Sequence, residues 1–140
     1  MPGEHVQHVL TTLVLVAASM VVPERAPAQG SDGPSTRDGI YTPAQAARGA
    51  ALAEGVCVEC HLMSEEFTGT FLQSWNGATL AALYDVISTT MPQNRPGALK
   101  PREYADVLAY ILSLNGVPAG ATELSAQAET FDTIRIDWRP

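Results

Sequence analysis

Cys57, Val58, Glu59, Cys60 and His61 form a C-x-x-C-H sequence, and the two thiols are the only cysteines of the chain. Two thiols at this spacing can each add to a vinyl group of a single haem. The adjacent imidazole then projects beneath the iron as its proximal ligand. Other chemistries use closely spaced cysteines, and each fits less well. A thioredoxin-like pair wants a βαβ context with its first cysteine at a helix N-terminus, whereas here a helical pattern precedes the motif. A closed zinc site needs four ligands; beyond residue 28 His61 is the only histidine, and there is no third cysteine. A disulfide between such near neighbours closes a very small loop and stabilises little. Covalent attachment of one haem c through Cys57 and Cys60 remains.

The iron of such a group has a second axial position. Beyond residue 28 the methionines are Met63 and Met91. Met63 follows His61 by two residues, on the same side of the iron, and cannot reach across the ring. Met91 stands immediately before Pro92 at the end of a helical pattern. Proline fixes the local backbone and removes a donor, which suits a loop presenting a thioether at a defined depth. Met91 as an apolar gap-filler, Lys100 as the ligand, and an open distal position are the alternatives. His61 with Met91 would saturate the iron and raise its reduction potential, and both effects point to electron transfer. No residue then has a catalytic role. An open position would instead make the chain a haem enzyme or a ligand-binding cytochrome.

The elements that must position these side chains are legible around them. Thr42 is an N-cap, Pro43 suits the first helical position, and Gln45 completes a capping box, with Tyr41 packing back on the first turn. This first helix is expected to run to about Glu54, with Gly55 ending it just before the motif. Residues 62–77 hold no period and read as a loop with at most one short turn of helix. A second helix follows Thr79, with Leu80, Leu83, Tyr84 and Ile87 on one face, and stops before Pro92. The third starts at Pro101, with Glu103 in its first turn and a stripe of Tyr104, Val107, Leu108, Ile111 and Leu114; Asn115 and Gly116 cap it. Residues 133–138 alternate Ile134, Ile136 and Trp138, which reads as a short strand or an extended segment laid on the body.

Length and charge set the outer bounds. The chain has 140 residues, 46% of them apolar and 16% charged, as expected of one globular domain. Its formal net charge of −7 argues against a nucleic-acid partner, because phosphate contacts need a basic face. Residues 9–22 are apolar apart from Thr11, Thr12 and Ser19, too short a run for the roughly 20 residues of a membrane span. With Pro23 and the small residues Ala26 and Ala28, residues 1–28 read as a signal peptide, an uncleaved anchor being the alternative. The expected organisation is a signal peptide (1–28), a flexible leader (29–39), a haem domain (40–124) and a tail (125–140). The location is then the periplasm, with no stable membrane span after cleavage.

Three stretches together resemble class I c-type cytochromes. They are Tyr41-Thr42-Pro43-Ala44-Gln45-Ala46-Ala47-Arg48-Gly49 leading into the C-x-x-C-H, then Met91-Pro92, then Tyr104-Ala105-Asp106-Val107-Leu108-Ala109-Tyr110-Ile111-Leu112. The exit Asn115-Gly116-Val117-Pro118-Ala119-Gly120 is similar to single-haem cytochromes found with periplasmic quinoprotein dehydrogenases. The resemblance implies an all-α cytochrome c fold, three to four helices around one covalently attached haem, whose first and last helices cross closely at a glycine. Gly49 matches that glycine, with Val107 and Tyr110 as its partners; a Cβ there is expected to meet the facing aromatic ring. It implies redox partner proteins, with a quinoprotein dehydrogenase as donor and a respiratory acceptor. A permanent dehydrogenase subunit, docked through the 134–138 tail, is a further alternative.

The chain also departs from that pattern. Leu62 replaces the usual glycine after the haem histidine, and Ala53 stands where an aromatic residue is common. No proline lies between His61 and Met91 to accept the proximal Nδ1–H, so a backbone carbonyl within residues 65–70 is expected to do so. The resemblance places Trp75 near the haem propionates, where its donor-only indole N–H suits a carboxylate; ordinary core is the alternative. Arg95, in the loop after Met91, is a second propionate candidate, or simply an exposed arginine. Phe71, Leu72, Leu80, Leu83, Ile87 and Leu108 are candidates for the pocket wall.

Overall fold

A computed structural model describes residues 33–139 of the chain. The signal-peptide reading of residues 1–28 lies outside them. Among the described residues the structure is all-α, with five α-helices and two short 3-10 turns. The long helices are α1 (Pro43–Val56), α4 (Leu80–Thr90) and α5 (Pro101–Leu114), and the one-turn helices are α2 (Met63–Glu66) and α3 (Thr70–Ser74). The 3-10 turns are Thr36–Asp38 and Ala128–Phe131. Two helical turns thus occupy the stretch read as loop. Helices this short are unstable alone, and their period is too brief to register in a sequence.

α1 begins as its cap signals require. The Thr42 side chain accepts the Gln45 N–H at 3.1 Å. The expected capping box is nevertheless only half formed, because Gln45 turns inward. Its side chain is buried and clamps the Leu124 backbone, donating from Nε2 to the carbonyl at 2.9 Å and accepting the N–H on Oε1 at 2.7 Å. The far end of α1 differs too. Gly55 stays inside the helix without a left-handed φ, and Cys57 is the C-cap, its N–H donating to Ala53 at 2.7 Å. Nothing approaches Gly55 within 4 Å, so it neither breaks the helix nor serves a close contact.

The largest helix–helix interface is α1 on α5. A Cβ at Gly49 would drive into the Asp106 carbonyl and lie 2.9 Å from the Tyr110 Cβ. The close approach is therefore to backbone, not to the Tyr110 ring as the resemblance implied. At the same point the neighbouring Arg48 grips the buried Asp106 carboxylate with two nitrogens, Nε to Oδ2 at 3.0 Å and Nη2 to Oδ1 at 2.9 Å. A second close backbone approach follows at Gly120, where a Cβ would collide with the Gly39 carbonyl.

α5 is central rather than one-sided. Residues 104–109 are all buried, with Ile111 and Leu112, while Leu114 is only half-buried. Its C-terminus closes as expected: Gly116 takes φ +67° and the Val117 N–H returns to the Leu112 carbonyl at 3.2 Å.

The tail is built into the body. Ile136 exchanges backbone hydrogen bonds with the 77–78 segment at 2.8 and 2.9 Å, and Leu80 donates to Ile134 at 2.9 Å. On the other side, Thr36 donates to Arg135 at 2.8 Å and Arg135 to Pro34 at 2.9 Å. The expected flexible leader is thus folded from Ser35 onward, with Thr36 fully buried. Phe131 and Ile136 lie in the main core, Ile134 and Trp138 pack against it, and Phe131 meets Tyr84 edge-on at 5.0 Å. Ile134 and Trp138 stay only half-buried, so the tail is anchored in the domain while part of its apolar surface faces outward.

Two substitutions probe this frame. Gly49→Ala forces α1 and α5 apart, and we expect a loss of about 3 kcal/mol, at the upper end for overpacking because the collision is with backbone. Phe131→Ala removes a fully buried ring and should cost ~3–5 kcal/mol, although it lies in the tail. Denaturant unfolding of the haem-loaded protein measures both.

Candidate haem site

α1 ends by delivering the C-x-x-C-H segment as a tight turn. The N–H groups of Cys60 and His61 both donate to the Cys57 carbonyl, at 3.1 and 2.9 Å. Cys57 is half-buried and Cys60 exposed, both as thiols. Burial pushes the Cys57 thiol above its ordinary pKa.

These residues line one wall of a cavity of about 650 Å³ that also reaches Met91, Pro92 and Trp75. Phe67, Phe71, Leu83, Ile87, Val107 and Ile111 supply its apolar walls. The volume falls within the roughly 300–1,000 Å³ of ligand pockets. Two thiols, an imidazole and a thioether lining one largely apolar cavity are the donor set that a covalently held haem requires. The residues present therefore fit that group.

Met91 is held by both of its flanking helices. It is the C-cap of α4, with φ −120° and ψ 150°, and its N–H donates to Ile87 at 3.0 Å. Its carbonyl accepts the Tyr104 hydroxyl of α5 at 2.6 Å. Lys100, the alternative ligand, is exposed at the N-cap of α5, where its backbone N–H donates to Glu103 at 2.7 Å. Met63 is buried with Ala53, Val107 and Ile111 and lines the cavity on the motif's side.

Of the wall candidates, Phe71, Leu83 and Ile87 line the cavity, whereas Leu72, Leu80 and Leu108 lie in the main core. Trp75 does both, lining the cavity and packing on that core. Arg95 is exposed in the loop, its N–H donating to Pro92 at 2.8 Å; Gln93 and Asn94 of that loop reach the cavity.

The partner of His61 Nδ1 differs from expectation. His61 Nδ1 lies 2.8 Å from Glu66 Oε2, a side-chain carboxylate rather than a backbone carbonyl. The other oxygen, Oε1, accepts the Leu62 N–H at 3.1 Å. The His61 ring, and after it the Leu62 N–H, hold the Glu66 carboxyl below the usual carboxylate range. Phe67 meets the His61 ring edge-on at 5.2 Å. The Phe67 carbonyl accepts from Asn115 Nδ2 at 2.6 Å, tying this segment to the end of α5. Sequence reasoning missed Glu66, Phe67 and Tyr104 as site residues. Glu66 could have been found from the absent proline together with an acidic residue five positions past His61.

Tyr104→Phe removes the hydroxyl that holds the Met91 carbonyl, a loss of about 1 kcal/mol. The haem-loaded variant should show a larger fraction of molecules open to carbon monoxide, read from the spectrum of the reduced protein.

Residues 44–111 match a protein-family model described as cytochrome C oxidase, cbb3-type, subunit III. No curated protein and no solved structure matches the chain. The matched stretch begins in α1, contains Cys57, Cys60, His61 and Met91, and ends in α5. Together with the all-α frame, it supports a c-type cytochrome that binds haem c covalently and works in electron transfer with redox partners.

Proposed function

We propose that the chain is an exported carrier of one electron, with a single haem c held between His61 and Met91. The observation that carries this reading is one cavity lined by Cys57, Cys60, His61 and Met91 together. When bound, the haem supplies a one-electron ferric/ferrous couple. The chain's own residues do the rest. Cys57 and Cys60 would fasten the group, His61 and Met91 would be its iron ligands, and the apolar walls would exclude water. By holding the Met91 carbonyl, Tyr104 would limit the movement of that thioether.

Export to the periplasm rests on the apolar run and Ala-x-Ala site within residues 1–28. A quinoprotein dehydrogenase as donor rests on the similarity of the 115–120 exit alone. The family match favours a second reading of the partner, in which the chain delivers its electron to, or serves within, a terminal oxidase. Under either reading no substrate is bound at the iron.

The absorption spectrum of the native protein tests this, with a haem stain of the denatured chain for covalency. We expect a low-spin spectrum unmoved by carbon monoxide. Met91→Ala should lower the potential and admit carbon monoxide. An unchanged spectrum and potential in that variant would exclude Met91 as ligand, and a high-spin ferric wild type would support a ligand-binding cytochrome instead.

A further inference from the structure

A metal-bound histidine is oriented by whatever accepts its second ring proton, and a charged acceptor makes the imidazole a stronger donor. In this chain that acceptor is built by local sequence. α2 starts two residues after His61, with Leu62 as its N-cap, and its single turn brings Glu66 back to His61. The Glu65 and Glu66 N–H groups both donate to the Leu62 carbonyl, at 2.9 and 2.8 Å, which fixes that turn. The carboxylate spends one oxygen on Leu62 N–H and the other on His61 Nδ1. The 2.8 Å separation is in the range of a charge-assisted N–H···O⁻ bond. Phe67 against the ring, anchored by Asn115, closes another side.

We propose that Glu66 is the positioning residue of the proximal ligand. Its carboxylate accepts the Nδ1–H of His61, leaves Nε2 as the nitrogen that faces the iron, and gives the ring partial imidazolate character that favours ferric over ferrous iron. This rests on His61 being an axial ligand. Nearly half of the Glu66 side chain, 47%, faces solvent, so the effect is carried by the direct hydrogen bond rather than by charge at a distance.

Two substitutions in the haem-loaded protein separate those causes. Glu66→Gln keeps the size of the side chain and removes its charge from the bond. Glu65→Gln removes an equal charge from the same turn, from an exposed residue. Midpoint potentials are read by spectroelectrochemistry at fixed pH. Glu66→Gln should shift the ferric/ferrous ratio about tenfold toward ferrous iron at a given electrode potential, which is ~59 mV for a one-electron couple; Glu65→Gln should shift it far less. Equal shifts in the two variants, or none in Glu66→Gln, would overturn the proposal. Should Glu66→Gln fail to mature, the wild type still decides. A ¹⁵N resonance of His61 Nδ1 displaced toward the deprotonated range supports the proposal, and an ordinary neutral N–H position overturns it. His61→Ala separates the underlying reading. If that variant keeps the wild-type spectrum, the axial assignment fails and this inference with it. If its spectrum changes while Glu66→Gln leaves the potential unmoved, only the role of Glu66 fails.

Discussion

α5 acts as the ruler against which the haem site is measured, and the contact that zeroes it is backbone against backbone. With no Cβ at Gly49, α1 can lie directly on the Asp106 carbonyl, and the Arg48–Asp106 pair fixes the register beside that point. α1 then ends at a set distance from α5, and the cysteines and His61 follow at once. Further along α5, Tyr104 holds the Met91 carbonyl, Val107 and Ile111 form a wall of the cavity, and Asn115 holds Phe67 beside the His61 ring. One helix therefore references both axial candidates and the wall between them.

The rest of the chain keeps that helix in place. Little of the core is formed by α2 and α3, which lack the length to be stable alone and depend on what they touch. The termini of the described region compensate. Gln45 fastens the Leu124 backbone from within the core, and the 134–136 segment is laced between residues 34–36 and 77–80. Tyr41, buried and donating to the Val117 carbonyl at 2.6 Å, joins the start of α1 to the end of α5. The charged groups used here are few. Asp106 is the buried one, and leaving it without Arg48 would strand a carboxylate in the core.

Long periodic elements and capped ends were legible in the sequence, because their signals are local. Thr42, Thr79 and Pro101 mark helix starts in the right places, and the stops at Pro92 and Gly116 are equally plain. The C-x-x-C-H carried its chemistry on its face. What was not legible depended on partners distant in sequence. Gln45 looks like half of a capping box until Leu124, far along the chain, competes for its amide. Gly55 looks like a stop because glycine often is one, yet α1 continues to Val56. The tail's alternation signalled an extended segment, but nothing local said that both of its edges would find backbone partners within the domain.

Glu66 is the instructive case, because the physical demand was visible and the supplier was not. A proximal histidine needs an acceptor for Nδ1–H, and the missing proline said only that the usual kind was absent. Glu66, in a helix too short to be read, places a carboxylate 2.8 Å from that nitrogen. Were His61 and Met91 the axial pair, as proposed, the two sides would pull the potential in opposite directions. The thioether is a weak donor and favours ferrous iron, whereas an imidazole polarised by a carboxylate favours ferric iron. Glu66 is exposed and Met91 half-buried, so of the two the carboxylate is the group more open to solvent or to a partner settling over it.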